Sequence, residues 1–156
     1  MRNQIKVPNT IPKHSNQSSW VLKDHAATIQ FGKYLAKSLS KKQIIFLDGP
    51  LGAGKTSLVK GIAEGLFIDE PITSPTFSLS HHYLKGKKVL IHLDLYRLED
   101  PRAANELFIQ EEENNNNFEG IMVIEWSSRL SLKINNELNI KMKYFSNGGR
   151  IISFEC

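Results

Sequence analysis

An α/β fold, with a central mixed sheet flanked by helices and edged by antiparallel hairpins, is predicted by three features of this sequence. The apolar run Ile44-Ile45-Phe46-Leu47 leads into Gly49-Pro50-Leu51-Gly52-Ala53-Gly54-Lys55-Thr56, and the residues after it, Ser57 to Leu66, carry apolar side chains at helical spacing. A second run, Ile121-Met122-Val123-Ile124, is apolar throughout, as a strand covered on both faces must be. Two β-rich runs, Thr76 to Leu84 and Lys87 to Leu95, flank Lys85-Gly86, and another pair, about 138–145 and 150–155, flanks Ser146-Asn147-Gly148-Gly149; both are hairpin signals. At 156 residues the chain makes one domain, large enough to bury roughly 68–70% of its unfolded surface.

The remaining elements follow in order. Residues 1–19, with Pro8, Pro12 and the polar Ser15-Asn16-Gln17-Ser18-Ser19, read as a flexible lead-in to a domain over 20–156. Trp20-Val21-Leu22 is a short strand, and Asp24 is a good N-cap for a helix over about 25–39. A strand at 43–48, the glycine-rich loop and a helix to about 66 come next. Pro71 and Pro75 keep Ile72-Thr73-Ser74 from being helical throughout. Asp100-Pro101 starts a short helix through about Leu107, with proline at its first position. Glu111-Glu112-Glu113-Asn114-Asn115-Asn116-Asn117 is a polar low-complexity run and reads as a solvated loop.

Gly49 to Thr56 is the full G-x-x-x-x-G-K-S/T pattern in the strand–loop–helix setting it requires, so the predicted domain is P-loop NTPase-like and nucleotide binding is expected. Glycines let the backbone curl until successive N–H groups converge on an anion, and the new helix adds the positive end of its dipole. Lys55 then reaches the outer phosphates and the Thr56 hydroxyl ligates Mg²⁺. Asp94 ends the run Val89-Leu90-Ile91-His92-Leu93, and Glu125 ends the run 121–124. Ligands in open α/β sheets collect at the carboxyl ends of strands, so both carboxylates are candidates for the metal shell rather than mere turn caps. His92 reads as a partly buried strand residue, and His81 and His82, lacking metal-site spacing, as edge or loop residues.

Composition narrows the rest. The net charge of +4 suits contact with phosphates, but Arg2, Lys6 and Lys13 of the lead-in supply most of it, so a direct RNA-binding face is not expected. A single cysteine, Cys156, excludes an intramolecular disulfide and a cysteine metal cluster. No apolar run reaches the roughly 18 residues of a membrane span, and the N-terminal residues lack a signal-peptide core, so a cytoplasmic soluble protein is expected.

Four motifs, in this order and at these intervals, carry a more specific likeness: Gly49 to Thr56, Ser74-Pro75-Thr76-Phe77-Ser78-Leu79, His92-Leu93-Asp94-Leu95-Tyr96-Arg97-Leu98 and Ile124-Glu125-Trp126. Together they resemble the TsaE family, formerly YjeE, bacterial P-loop ATPases required for threonylcarbamoylation of adenosine-37 in tRNA. The likeness spans about residues 20–130 and is weak over the final hairpin. It implies that Gly52, Ala53, Gly54, Lys55, Thr56 and Ser57 hold the ATP phosphates and that Thr56 and Glu125 coordinate Mg²⁺. It also implies that Asp94 sits in the metal's outer shell or orients water, that Thr76 of a switch-like loop senses the γ-phosphate, and that His25 lies near the adenosine. Trp126 fits a conformational or partner-facing role.

The chain departs from the family pattern in several places. Pro50 stands where an acidic residue is common, Phe108 where glycine is usual after Leu107, and Ser127 where proline follows the tryptophan. The family's partners are the TsaD–TsaB pair, which performs the carbamoyl transfer; tRNA contact is then indirect, and the protein is expected to be a monomer when alone. The arginines after the loop, Arg97, Arg102, Arg129 and Arg150, are scattered, so no arginine finger is assignable; Arg97, beside Asp94, reads as half of a structural ion pair. Slow ATP hydrolysis by the isolated protein follows. A small-molecule kinase shares the loop but needs an arginine-bearing lid, and a non-hydrolysing binding module could dispense with Asp94 and Glu125.

Overall fold

In a computed structural model that describes residues 18–155, the chain folds around a parallel core. Strands β2 (Gln43–Asp48), β4 (Leu90–Asp94) and β5 (Ile121–Glu125) lie side by side in parallel, β5 in the centre. Successive side chains of a strand point to opposite faces. Ile45, Leu47, Ile121 and Val123 therefore enter one hydrophobic cluster, while Ile44, Ile91, Leu93, Met122 and Ile124 enter another on the opposite face. Every residue of β4 and β5 is buried, as the apolar run 121–124 requires and with His92, Asp94 and Glu125 as the polar exceptions.

Four more strands complete a seven-stranded sheet: β1 (Ser19–Leu22), β3 (Ser80–Tyr83), β6 (Glu137–Tyr144) and β7 (Arg150–Glu155), in the order β1-β7-β6-β2-β5-β4-β3. β6 is parallel to β2, whereas β7, β1 and β3 are antiparallel to their neighbours. The sheet is thus mixed, as expected, and the final hairpin is joined to the strand that feeds the glycine-rich loop. The expected lead-in falls almost wholly outside the described residues; its last residue, Ser19, already pairs with Ser153.

Helices α1 (His25–Ser38) and α2 (Lys55–Gly65) cover the first face. Asp24 caps α1 as predicted, its carboxylate accepting from the Ala27 N–H at 2.8 Å. The two helices cross where Gly32 meets Gly61. A β-carbon built on Gly61 would lie 2.8 Å from the Ile29 carbonyl carbon and 2.9 Å from Gly32 Cα. Helix propensity alone favours alanine over glycine by about 1 kcal/mol, and overpacking costs about 1–3 kcal/mol. Here the obstruction is backbone, so Gly61→Ala is expected to lower stability by about 2 kcal/mol net. A chemical-denaturation midpoint at or above that of the parent would show that the crossing relaxes freely.

Helix α3 (Pro101–Phe118) covers the second face and corrects the largest misreading. Instead of ending near Leu107, it continues through the Glu111–Asn117 run expected to be a loop. Ala104, Phe108, Glu111 and Asn115 are its buried residues, and their spacing is one helical stripe. Glu111 reaches His82 Nε2 on β3 at 2.6 Å, and Asn115 offers its carbonyl to the Gly120 N–H at the helix end. Tertiary partners thus outweigh the weak helix propensity of asparagine. Phe108 is 2% exposed and fills this second cluster.

The Thr76–Leu84 run is also corrected. Only 80–83 is strand; Leu79 has φ +67°, its N–H bonds the Pro75 carbonyl at 2.6 Å and its carbonyl accepts from the Asp94 N–H at 3.0 Å. The segment 75–79 is a turn seated on the end of β4, and the link between β3 and β4 is a wider loop than Lys85-Gly86 suggests.

Candidate functional site

The carboxyl ends of β2, β4 and β5 open into a cavity of about 620 Å³. The glycine-rich loop joins β2 to α2 as predicted, with Gly52 at φ +76° and Gly54 at φ +94°, values that L side chains rarely adopt. Gly54 is also the N-cap of α2 and supplies no side-chain acceptor to the first amides of that helix. Gly52, Gly54, Lys55, Thr56 and Ser57 all line the cavity. Ala53 does not: it is fully buried beneath the loop, its N–H closing a turn onto the Pro50 carbonyl at 3.1 Å.

The predicted carboxylates meet here. Asp94 and Glu125 are register partners at the ends of adjacent strands and both face the cavity. Lys55, only 7% exposed, donates from Nζ to the Gly49 carbonyl at 2.7 Å and the Pro50 carbonyl at 3.2 Å, with Glu125 Oε2 4.0 Å away. His92 is fully buried, not partly, and its Nε2 lies 2.9 Å from Glu125 Oε1. This contact holds one oxygen of the carboxylate while Lys55 lies nearer the other, a role the sequence did not suggest.

Thr76 donates from Oγ1 to Asp94 Oδ2 at 2.7 Å, and Ser74 Oγ lies 2.8 Å from the same hydroxyl. The Tyr96 N–H donates to the other Asp94 oxygen at 3.0 Å. The switch-like segment and the β4 carboxylate therefore form one unit. His25 Nδ1 lies 2.9 Å from Ser57 Oγ at the start of α2, and both line the cavity with Asp24 and Thr28. Trp126, with φ +59°, packs its ring on Tyr96 at 4.9 Å between centroids, and both rings border the opening.

Two expectations change. Arg97 makes no ion pair with Asp94; its guanidinium lies over the exposed Phe77 ring, 4.2 Å from the centroid. Arg150, read as one of several scattered arginines, lines the cavity. Asp48, which ends β2, stands outside the lining residues; burial raises its carboxyl above the ordinary range, partly countered by a hydrogen bond from Ser127 Oγ at 3.4 Å.

The donor set suits Mg²⁺. Among the described residues no group of three or more His, Cys, Asp or Glu forms a metal cage. Among the oxygen donors that line the cavity are the Thr56 hydroxyl and the two strand-end carboxylates, Asp94 and Glu125, all hard ligands. Mg²⁺ is commonly bound through one or two carboxylates plus substrate phosphates and water rather than by a full protein cage.

Known proteins share this arrangement of sequence and fold. The family model of Threonylcarbamoyl adenosine biosynthesis protein TsaE matches residues 22–152, which takes the likeness past residue 130 and into the final hairpin. The tRNA threonylcarbamoyladenosine biosynthesis protein TsaE of Nostoc sp. is 41% identical over 138 residues, 86% of this chain and 85% of that protein. The protein of the same name in Synechocystis sp. is 43% identical over 118 residues, covering 75% and 74%, and that of Treponema pallidum is 35% identical over 127, covering 81% and 91%. The solved structure of Bacillus subtilis YdiB superposes with a TM-score of 0.66 at 26% identity, over 87% of this chain and 82% of that one. A match across most of the sequence, relatives at 35–43% identity and a shared fold place this chain in the TsaE family of tRNA threonylcarbamoyladenosine biosynthesis proteins.

Proposed function

We propose that this protein is a Mg²⁺-dependent ATPase that supports threonylcarbamoylation of adenosine-37 in tRNA by acting on the TsaD–TsaB transferase pair in the cytoplasm. The observation that carries the reading is the Thr76–Asp94 hydrogen bond of 2.7 Å, which ties a turn beside the phosphate loop to a strand-end carboxylate in the same cavity. Such a link lets the nucleotide's outer phosphate bias a loop with two arrangements.

Phosphoryl transfer asks the protein mainly for position and charge stabilisation. Lys55 offsets charge on the β- and γ-phosphate oxygens, and the amides at the start of α2 cradle them. Thr56 and Glu125, with Asp94 alongside, would hold Mg²⁺, which when bound neutralises phosphate charge and orients the groups. Asp94 or Glu125 orients the attacking water. Among the described residues Arg150 is the one arginine lining the cavity, and its nitrogens are already committed to backbone carbonyls. The isolated protein is therefore slow, and the partner pair completes the electrostatic shell.

Nucleotide-dependent pull-down with TsaD and TsaB, combined with phosphate release, tests the reading. ATP is expected to change partner binding relative to ADP, and the pair is expected to stimulate hydrolysis. Thr76→Ala removes a hydrogen bond to a charged group, worth about 1.5–3 kcal/mol, so the coupling is expected to fall roughly tenfold or more while nucleotide affinity is spared. Phosphate moved to a small acceptor instead of water points to a kinase. Partner binding indifferent to nucleotide, with unstimulated hydrolysis, removes the tRNA-modification mechanism.

A further inference from the structure

The geometry points to Arg150 and Tyr144, on the final β-hairpin, as positioning residues that brace the phosphate loop from its carbonyl side and set its grip on the β-phosphate of a nucleoside diphosphate or triphosphate. This rests on the nucleotide-binding reading and adds to it two residues outside the loop, the strand-end carboxylates and the switch segment.

Three consecutive loop carbonyls are held by these two side chains. The Tyr144 hydroxyl donates to the Leu51 carbonyl, Arg150 Nη2 to the Gly52 carbonyl at 3.1 Å, and Arg150 Nε to the Ala53 carbonyl at 3.0 Å. Arg150 Nη1 is anchored on its own hairpin, donating to the Gly148 and Gly149 carbonyls at 2.8 and 3.0 Å. The guanidinium carbon lies 5.1 Å from the Tyr144 ring centroid, so ring and cation support one another.

A peptide unit is planar, and fixing its C=O fixes the N–H of the next residue. Holding the carbonyls of 51, 52 and 53 therefore orients the amides of Gly52 and Gly54 and, between them, the Ala53 amide that closes the turn onto the Pro50 carbonyl. The loop lies close against the hairpin: a β-carbon on Gly52 would sit 2.8 Å from the Tyr144 hydroxyl, and one on Gly49 2.7 Å from the Met142 carbonyl. An amide cradle held in place in advance binds phosphate without the cost of ordering a glycine-rich loop. The half-buried guanidinium adds a fixed positive charge at the cavity wall. With all three of its nitrogens committed, Arg150 is a brace rather than a finger that reaches the reacting phosphate.

The experiment is calorimetric titration of the full chain with ADP and with AMP, for the parent, Arg150→Met, Arg150→Lys and Tyr144→Phe, alongside hydrogen exchange of the loop amides. Arg150→Met is expected to weaken ADP about tenfold, the loss of a charged brace, while AMP, which lacks the β-phosphate, changes little. Exchange is expected to quicken in residues 51–56 and not in β2, β4 or β5. Arg150→Lys keeps the charge but not the fork, and is expected to fall between parent and methionine variant; Tyr144→Phe is expected to lose less than either. ADP affinity unchanged in Arg150→Met overturns the brace, as does a loss shared equally by AMP and accompanied by faster exchange across the whole sheet with Arg150→Lys and Tyr144→Phe like the parent. A parent protein that binds neither nucleotide overturns the nucleotide reading and the brace with it.

Discussion

Lys55→Met is expected to reduce ATP turnover by roughly 10²–10³-fold, the usual loss when one preorganised positive or donating group is removed from a site of developing charge. The fold is expected to survive. Lys55 is buried at 7% exposure, but its stem is apolar and methionine is of similar length, so the packing under the loop is kept. The ammonium's contacts, to the Gly49 and Pro50 carbonyls and at 4.0 Å to Glu125, are the part that is lost. Glu125 keeps its hydrogen bond to His92, which limits the penalty of removing a neighbouring cation. Phosphate-release rates, read beside the melting temperature, check this. Turnover equal to the parent at an equal melting temperature would take Lys55 out of the site.

Glu125→Gln separates metal from nucleotide. The replacement is isosteric and leaves an oxygen for the His92 Nε2 contact of 2.9 Å, so stability is expected to stay within about 1 kcal/mol of the parent. The lost negative charge is expected to weaken Mg²⁺-ATP binding about tenfold or more, because the carboxylate is a hard ligand and one of only two at the strand ends that line the cavity. Binding in the presence of a chelator is expected to be unchanged or tighter, since a charge that repels phosphate is gone. Titrations with Mg²⁺ and with chelator that diverge in the variant as widely as in the parent would leave Glu125 without a metal role. Asp94→Asn offers the comparison: its carboxylate is already shared with Thr76 and the Tyr96 amide, so it is expected to disturb the switch segment along with the metal.

Much of the domain is legible in local pattern. The bounds of β2, the cap at Asp24 and the loop with its two left-handed glycines come from period, capping chemistry and glycine's conformational freedom. Each of these is a property of residues a few positions apart. The central strand β5 is equally plain, because burial on both faces demands an unbroken apolar run such as 121–124. Asp94 and Glu125 could be nominated together because the ends of neighbouring parallel strands converge.

The misreadings have one physical origin. The Glu111–Asn117 run looks like a loop until His82 and the second hydrophobic cluster are present to reward a buried stripe on α3. Residues 76–79 carry β-formers, yet Asp94 captures the Thr76 hydroxyl and the Leu79 carbonyl and bends them into a turn.

Sequence alone determined the α/β class, the glycine-rich loop that carries Lys55 and Thr56, and the two strand-end carboxylates, because each is written in contiguous residues whose chemistry is local. Only the tertiary structure decided what surrounds them. The His92–Glu125 contact joins residues 33 apart, Tyr144 reaches Leu51 across 93 and Arg150 reaches Ala53 across 97. Such pairs form because the sheet order sets β6 beside β2 and β7 beside β6, and that order depends on which strands bury the most apolar surface together, a property of the whole chain and of no single segment.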